Sequence, residues 1–198
     1  IQSLKEILSA QDILVYRFET ADKKLCAAVY ADGITDKELL GELAARPLAQ
    51  ANAPKTRLEA EKLLLFPELK EADDAETAAF EILSGNPALL IDGIAGAIIL
   101  GTKKVALRAV MEPQTAITVK GPREGFIEDV KTNMSLIRRR FKTPNLQFEM
   151  LTVGKQSGTA VCVAYLKGIT DESLVKKVCS RIQKTEIDGV PDSSYIAQ

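Results

Sequence analysis

The chain has 198 residues, 46% hydrophobic and 27% charged, an ordinary globular mixture with enough apolar material for one or two cores. Its formal net charge of −1 supplies no overall field to recruit nucleic acid or anionic lipid, and the absence of histidine removes the commonest general base and the commonest zinc ligand. Cys26, Cys162 and Cys179 form no C-x-x-C pair and are odd in number, which argues against a disulfide framework or a zinc knuckle and fits a reducing compartment.

Charge is uneven along the chain, net −4 over residues 1–120 and net +3 over 121–198. The first residue is Ile rather than Met and no signal-peptide pattern follows, which reads as an excised piece of something longer. The most apolar stretch, Ala88 to Leu100, contains Asp92 and falls short of the roughly 20 residues a spanning helix needs.

Leu4, Ile7 and Leu8 have helical spacing. The runs "DILVYRF" (12–18) and "LCAAVYA" (25–31) predict a strand hairpin around "ETADKK". After Gly33, Leu39, Leu40 and Leu43 share a helical face, and Thr35 with Glu38 matches a capping box. Residues 47–85 are punctuated by Pro47, Pro54 and Pro67 and predict an inserted helical segment, with helices over Thr56–Leu65 and Asp73–Leu83. Strands are predicted at 88–92, 97–100 and 104–110, with "GTK" turning between the last two.

"KGPREGF" (120–126) opens the second part. Phe126, Val130, Met134, Ile137 and Phe141 form one apolar stripe of a long helix. Strands at 146–153 and 159–166 flank the hairpin signal "GKQSG", and a last helix presents Leu174, Val175 and Val178.

Residues 13–36 lie over 148–171 without a gap, and each copy ends in Gly-Ile-Thr-Asp. A helix precedes and follows each copy. The chain therefore reads as an α/β protein of the α+β type, built of two similar small lobes. Each is based on helix–strand–strand–helix, with helices packed on a mostly antiparallel or mixed sheet. The expected lobes are 1–113, carrying the helical insert at about 47–85, and 114–198, beginning at the GPREGF helix entrance. In the shared tetrapeptide, Gly suits positive φ, and Thr or Asp accepts first-turn N–H groups. Thr35 and Thr170 are taken as cap positions. A fainter echo pairs "IDGI" (91–94) with "IDGV" (187–190).

Three stretches are candidates for interaction. "GPREGF" places Pro122, Arg123, Glu124 and Phe126 at a helix entrance, read either as a specialised N-terminal cap or as an inter-lobe hinge or subunit contact. "RRRFK" sets Arg138, Arg139 and Arg140 at a helix end, read as a solvated, dipole-compatible terminus or as a contact for nucleic acid or acidic lipid. Only one aromatic lies in that cluster, which weakens base stacking, and no nucleic-acid partner is expected. No Walker loop, G-x-G-x-x-G or G-x-S-x-G occurs, so no catalytic residue, metal or cofactor is expected.

The run from "VKGPREGF" through "GITDESLVKKV" to "IDGVPDSSYI" closely resembles the N-terminal region of the A subunit of GerA-type spore germination receptors. The matching positions are Gly121 to Phe126, Asn133, Arg138 to Arg140, Gly168, Asp188, Gly189, Asp192, Ser193, Tyr195 and Ile196, with Lys120 in place of the usual Arg. The likeness is strong over 113–198 and looser but collinear over 1–112. It implies a non-enzymatic signalling and assembly domain of a nutrient receptor in the inner spore membrane, on the cytoplasmic (spore-core) side. The implied partners are a transporter-like B subunit, a lipoprotein C subunit and further A subunits in an oligomeric, channel-like assembly. Asp188, Gly189, Asp192, Ser193 and Tyr195 are its tail motif, taken as a candidate inter-lobe contact. The alternative is a germinant-binding module holding a small sugar or amino acid in a cleft between the lobes.

Overall fold

The structure, a computed structural model, describes residues 2–102, 124–185, 187–190 and 193–196. The N-terminal lobe runs α1 (Gln2–Ile7), β1 (Ile13–Glu19), β2 (Leu25–Ala31), α2 (Lys37–Leu40), a π turn (Gly41–Ala45), α3 (Arg46–Gln50), α4 (Arg57–Leu63), β3 (Leu69–Ala72), α5 (Ala75–Leu83), β4 (Ala88–Ile91) and β5 (Ala97–Leu100). The C-terminal lobe runs α6 (Val130–Arg140), β6 (Leu146–Val153), β7 (Thr159–Leu166), α7 (Glu172–Gln183) and a short 3-10 turn (Ser193–Tyr195). The architecture is α+β. One five-stranded sheet has the order β1-β2-β4-β5-β3 and a second sheet pairs β6 with β7, every pairing being antiparallel. The boundary expected at 113/114 and the strand expected at 104–110 lie outside the described residues.

The five-stranded sheet is covered on both faces. Leu4 and Leu8 with Ala78, Ala79, Ile82 and Leu83 of α5 pack on Val29, Ala31 and Ile99. On the other face Leu40, Ala44, Leu48, Ala60 and Leu64 pack on Cys26, Ala28, Ile98 and Leu100. Two-sided burial explains why β2 and β5 read as continuous apolar runs rather than alternating ones.

Two expectations about element boundaries change. The helix after Gly33 does not stop before Pro47, because α2, the π turn and α3 run on without a break to Gln50. Proline has no N–H for the Leu43 carbonyl four residues back, and Leu65 N–H donates to it instead, at 3.1 Å. Within the stretch read as helical, β3 pairs with β5 at the sheet edge. Its "LKEA" carries two charged residues, as an exposed edge tolerates, and so lacks an apolar strand signal.

The second hairpin has the predicted bounds, and its register pairs Gln147 with Tyr165 and Val153 with Thr159. In each lobe the second strand ends in a glycine with positive φ, +81° at Gly33 and +83° at Gly168. An aspartate then caps the next helix. Asp36 accepts from Glu38 and Leu39 N–H, and Asp171 accepts from Ser173 N–H. The threonines are not the caps: Thr35 is buried and donates its hydroxyl to the Gly85 carbonyl at 3.2 Å. In the β conformation, Asp36 and Asp171 leave their own carboxylates nearest the first-turn donors.

Candidate functional site at the junction of the two lobes

The entrance to α6 is organised from its own residues. Asp129 is the N-cap, accepting at one carboxylate oxygen from Thr132 N–H at 2.8 Å and the Thr132 hydroxyl at 2.6 Å. These two bonds favour its charged form and hold its pKa below the usual range, against a weaker opposing burial effect. The side chain of Asn133 accepts from Ile127 N–H at 2.8 Å and donates to the Ile127 carbonyl at 2.6 Å. The incoming chain is thereby folded back along the helix. Glu124 then meets Arg139 at 3.1 Å and Arg140 at 3.5 Å. Glu124 thus holds the entering chain, as one reading of GPREGF expected, but the cap itself is Asp129. Pro122 and Arg123 lie outside the described residues. Phe126 is 70% exposed and precedes the helix, which starts at Val130.

Helix α6 does not bury the stripe its spacing suggested. Its buried residues are Ser135, Leu136 and Arg138, while Phe141 is 50% exposed. The reason is Arg138. It is fully buried, and its Nε and Nη2 donate to the two carboxylate oxygens of Asp12 at 2.7 and 2.8 Å. Nη2 also donates to the Leu146 carbonyl at 3.0 Å and Nη1 to the Thr143 carbonyl at 2.9 Å. The guanidinium lies 5.1 Å from the centre of the Phe148 ring. A buried guanidinium requires this degree of satisfaction, and the planar fork matches a carboxylate bidentately. The "RRRFK" cluster is therefore not one solvated terminus. Arg138 points into the protein, and Arg139 and Arg140 serve Glu124.

Asp12 sits just before β1, so the ion pair joins the first strand of the N-terminal lobe to the first helix of the C-terminal lobe. Three contacts surround it. A Cβ added at Gly33 would stand 2.9 Å from the Cβ of Ser135, so the turn and α6 touch backbone to small side chain. Lys131 lies 3.8 Å from Asp32. Gln11 accepts from Met150 N–H and donates to Glu149, each at 3.2 Å. No such contact exists at Gly168, where an added Cβ meets nothing within 4 Å. Gln11 and Asp12 carried no motif in the sequence. The available signal was negative: an Arg one residue out of phase with a helix stripe, over a Ser three residues earlier.

The tail motif does not reach the junction. Ile187 and Asp188 carbonyls accept from Lys155, Gln156 and Ser157 N–H at 3.0 Å, so the tail braces the β6–β7 turn of its own lobe. Gly189 packs by Ser157, and Ser193 and Tyr195 lie exposed in the 3-10 turn. Asp192 is outside the described residues. The expectation of an inter-lobe contact is corrected for the described tail residues. The "IDG" echo is also only partial: Ile91 pairs antiparallel with Cys26, whereas 187–190 runs in the same sense as 155–159.

Among the described residues no group of three or more His, Cys, Asp and Glu is placed to hold a metal, and no helix is long and apolar enough to cross a membrane. What the site can do is mechanical: it fixes two sheets to each other through one buried charge pair and one close helix contact.

A mixed α+β chain of two unequal lobes, joined at a buried Asp12–Arg138 pair, is a fold that comparison can place. The chain belongs to the family described as Bacillus/Clostridium GerA spore germination protein, whose model matches residues 2–198. It is 32% identical over 203 residues to spore germination protein KA of Bacillus subtilis (strain 168), aligning 100% of this chain with 37% of that protein. It is 31% identical over 209 residues to spore germination protein B1 of the same strain, aligning 100% of this chain with 42% of that protein. The chain thus spans less than half the length of these relatives. Its fold resembles the crystal structure of the N-terminal domain of the A subunit of the Bacillus megaterium spore germinant receptor GerK3. The TM-score is 0.67 at 24% identity, covering 100% of this chain and 74% of that one.

Proposed function

We propose that the chain is the N-terminal region of a germinant receptor A subunit and works there as a non-enzymatic signalling and assembly module. On this reading it lies on the cytoplasmic, spore-core side of the inner spore membrane. It packs against the B and C subunits or further A subunits and relays nutrient binding to a channel-like portion of the receptor. The observation that carries the reading is the Asp12–Arg138 pair, whose side chains are 4% and 1% exposed. Removing one partner of such a pair costs about 3–5 kcal/mol, so a force on α6 moves both lobes together. The GPREGF entrance, tied to the end of the same helix through Glu124, is the surface where that force is applied.

Glu124→Ala in the full receptor is the test. An exposed ion pair contributes little to folding, so the substitution leaves the domain intact. The expected result is slower germination or lower complex abundance. Normal germination at normal receptor levels contradicts the assignment of this surface.

A second reading, a ligand in the cleft between the lobes, is favoured by a cavity of about 260 Å³ lined by Asp12, Asp32, Gly33, Lys131, Met134 and Met150. It ranks second because the volume falls below the roughly 300 Å³ at which ligand clefts begin. Calorimetry of the chain against sugars and amino acids checks it, and absence of heat at millimolar ligand counts against it.

A further inference from the structure

An acidic-lipid contact is one reading of RRRFK, but its three arginines are engaged with Asp12 and Glu124. The free positive charge of the C-terminal lobe lies on α7 instead. Lys176, Lys177 and Arg181 are in this helix, Lys184 is its C-cap, and all four are exposed. No acidic residue falls between Glu172 and Glu186. Among the described residues none of the four has an ion-pair partner. The N-terminal lobe treats its cations differently: Lys37, Arg46, Arg57 and Lys70 each pair with a carboxylate of that lobe. Its own helical run after Gly-Ile-Thr-Asp sets Glu42 one turn before Arg46, at 2.6 Å.

The placement on α7 is one-sided. At 3.6 residues per turn the four cations fall within an arc of about 140°, together with Ser173 and Ser180. Val175, Val178, Cys179 and Ile182 take the other side, buried or half-buried where α7 packs on β6. Leu174, 53% exposed, lies at the rim, one turn before Lys177 and two before Arg181. The helix dipole accounts for Arg181 and Lys184 at the C-terminal end. It does not account for Lys176 and Lys177 in the middle of the helix.

From Lys176 to Lys184 the helix rises about 12 Å, so the four charges are packed closely enough to act as one surface. They spread over the convex side of a helix rather than converging on one point, and no aromatic stands among them on which a base could stack. A plane of anionic headgroups matches that arrangement. We propose that this face of α7 docks on an anionic lipid surface, with Lys176, Lys177, Arg181 and Lys184 among the headgroups and Leu174 at their level. The docking rests on the reading that holds the chain beside a membrane. It adds an orientation: the C-terminal lobe faces the lipid, and the N-terminal lobe, in the stretch of net charge −4 over residues 1–120, is turned away.

The test is co-sedimentation of the 198-residue chain with sucrose-loaded vesicles, made of phosphatidylcholine alone or with about 30% phosphatidylglycerol, in about 0.1 M salt. The expected result is binding to the anionic vesicles at least about tenfold stronger than to the neutral ones, lost at about 0.5 M salt. Each cation near such a surface is worth about fivefold, so Lys176→Gln combined with Lys177→Gln should weaken binding about 25-fold. Lys5→Gln combined with Lys62→Gln removes the same charge from exposed positions of the N-terminal lobe and should change binding less than about twofold. Both pairs are exposed, so neither double variant should alter the fold. Equal binding to both vesicles, equal loss from the two double variants, or undiminished binding of the Lys176–Lys177 variant overturns the proposal. Capture of a short duplex DNA without binding to the anionic vesicles also overturns it, and assigns the face to nucleic acid. The vesicles carry no receptor subunit, so the assembly reading stands or falls separately, on the germination of Glu124→Ala receptors.

Discussion

The two lobes share a helix–strand–strand–helix plan but use it differently. In the N-terminal lobe, strand β2 is covered on both faces and continues through β4 into three more strands. In the C-terminal lobe no residue of β7 is fully buried, and its described sheet stops at two strands. The first lobe therefore has two apolar cores of its own. The second lobe leans on the first through Arg138, Ser135 and Gln11. A duplicated plan does not give duplicated stability: one copy is the platform, and the other is held to it by a buried charge pair.

The largest effect expected from breaking this arrangement is at Arg138. Arg138→Ala leaves the Asp12 carboxylate buried without its partner and should lower unfolding free energy by about 3–5 kcal/mol in urea titration. A loss below about 1 kcal/mol would mean that water replaces the pair.

The glycines sharpen the comparison. Gly33→Ala and Gly168→Ala both force a side chain into positive φ, costing about 1–2 kcal/mol. Only Gly33→Ala also meets Ser135, at 2.9 Å, so it should be the more harmful of the two by thermal melting. Introducing Ser135→Gly should remove most of that difference.

The caps should instead behave alike. Asp36→Ala and Asp171→Ala should lower the thermal midpoint by similar amounts, and Thr170→Ala by less than either. The Asp129 and Asp171 carboxyls are held below their ordinary pKa, first by side-chain hydrogen bonds to Thr132 and Ser173. Their stabilisation is therefore present above the unfolded carboxyl pKa of about 3.9 and lost as pH falls through the lower folded values. Acid titration followed by circular dichroism should show a shallower loss in Asp129→Asn and Asp171→Asn than in the parent chain.

The smallest effect is at alkaline pH. Burial raises the Cys26 and Cys162 thiols from 9.0 to about 11. The folded chain then holds these protons more tightly, so the contribution is intact below pH 9.0 and declines as pH rises toward 11. Cys26→Ala should flatten that decline in urea titrations.

Much of the scaffold was legible because it rests on local patterns. The second hairpin, the two positive-φ glycines and the helices after Thr56 and Asp74 follow from apolar periodicity and turn residues. Strand β3 was not legible, since an edge strand with Lys70 and Glu71 has no apolar run. The α6 stripe misled because periodicity reports which face could be buried, not which face a distant carboxylate claims. The junction was least legible of all. Asp12 and Arg138 are 126 positions apart, and neither has a local signature. Family resemblance marked the GPREGF and Arg-rich stretches without showing that Arg138 and Arg139, adjacent in sequence, have opposite roles.

A double-mutant cycle across the junction tests the central claim most directly, with Asp12→Ala, Arg138→Met and the double variant compared by urea unfolding. If the lobes are joined through this pair, each single variant is strongly destabilised and the double is far less so than their sum. The coupling energy should then exceed about 2 kcal/mol, within the range for residues sharing one buried network. Additivity within about 0.5 kcal/mol would contradict it, leaving the two lobes as neighbours rather than one unit.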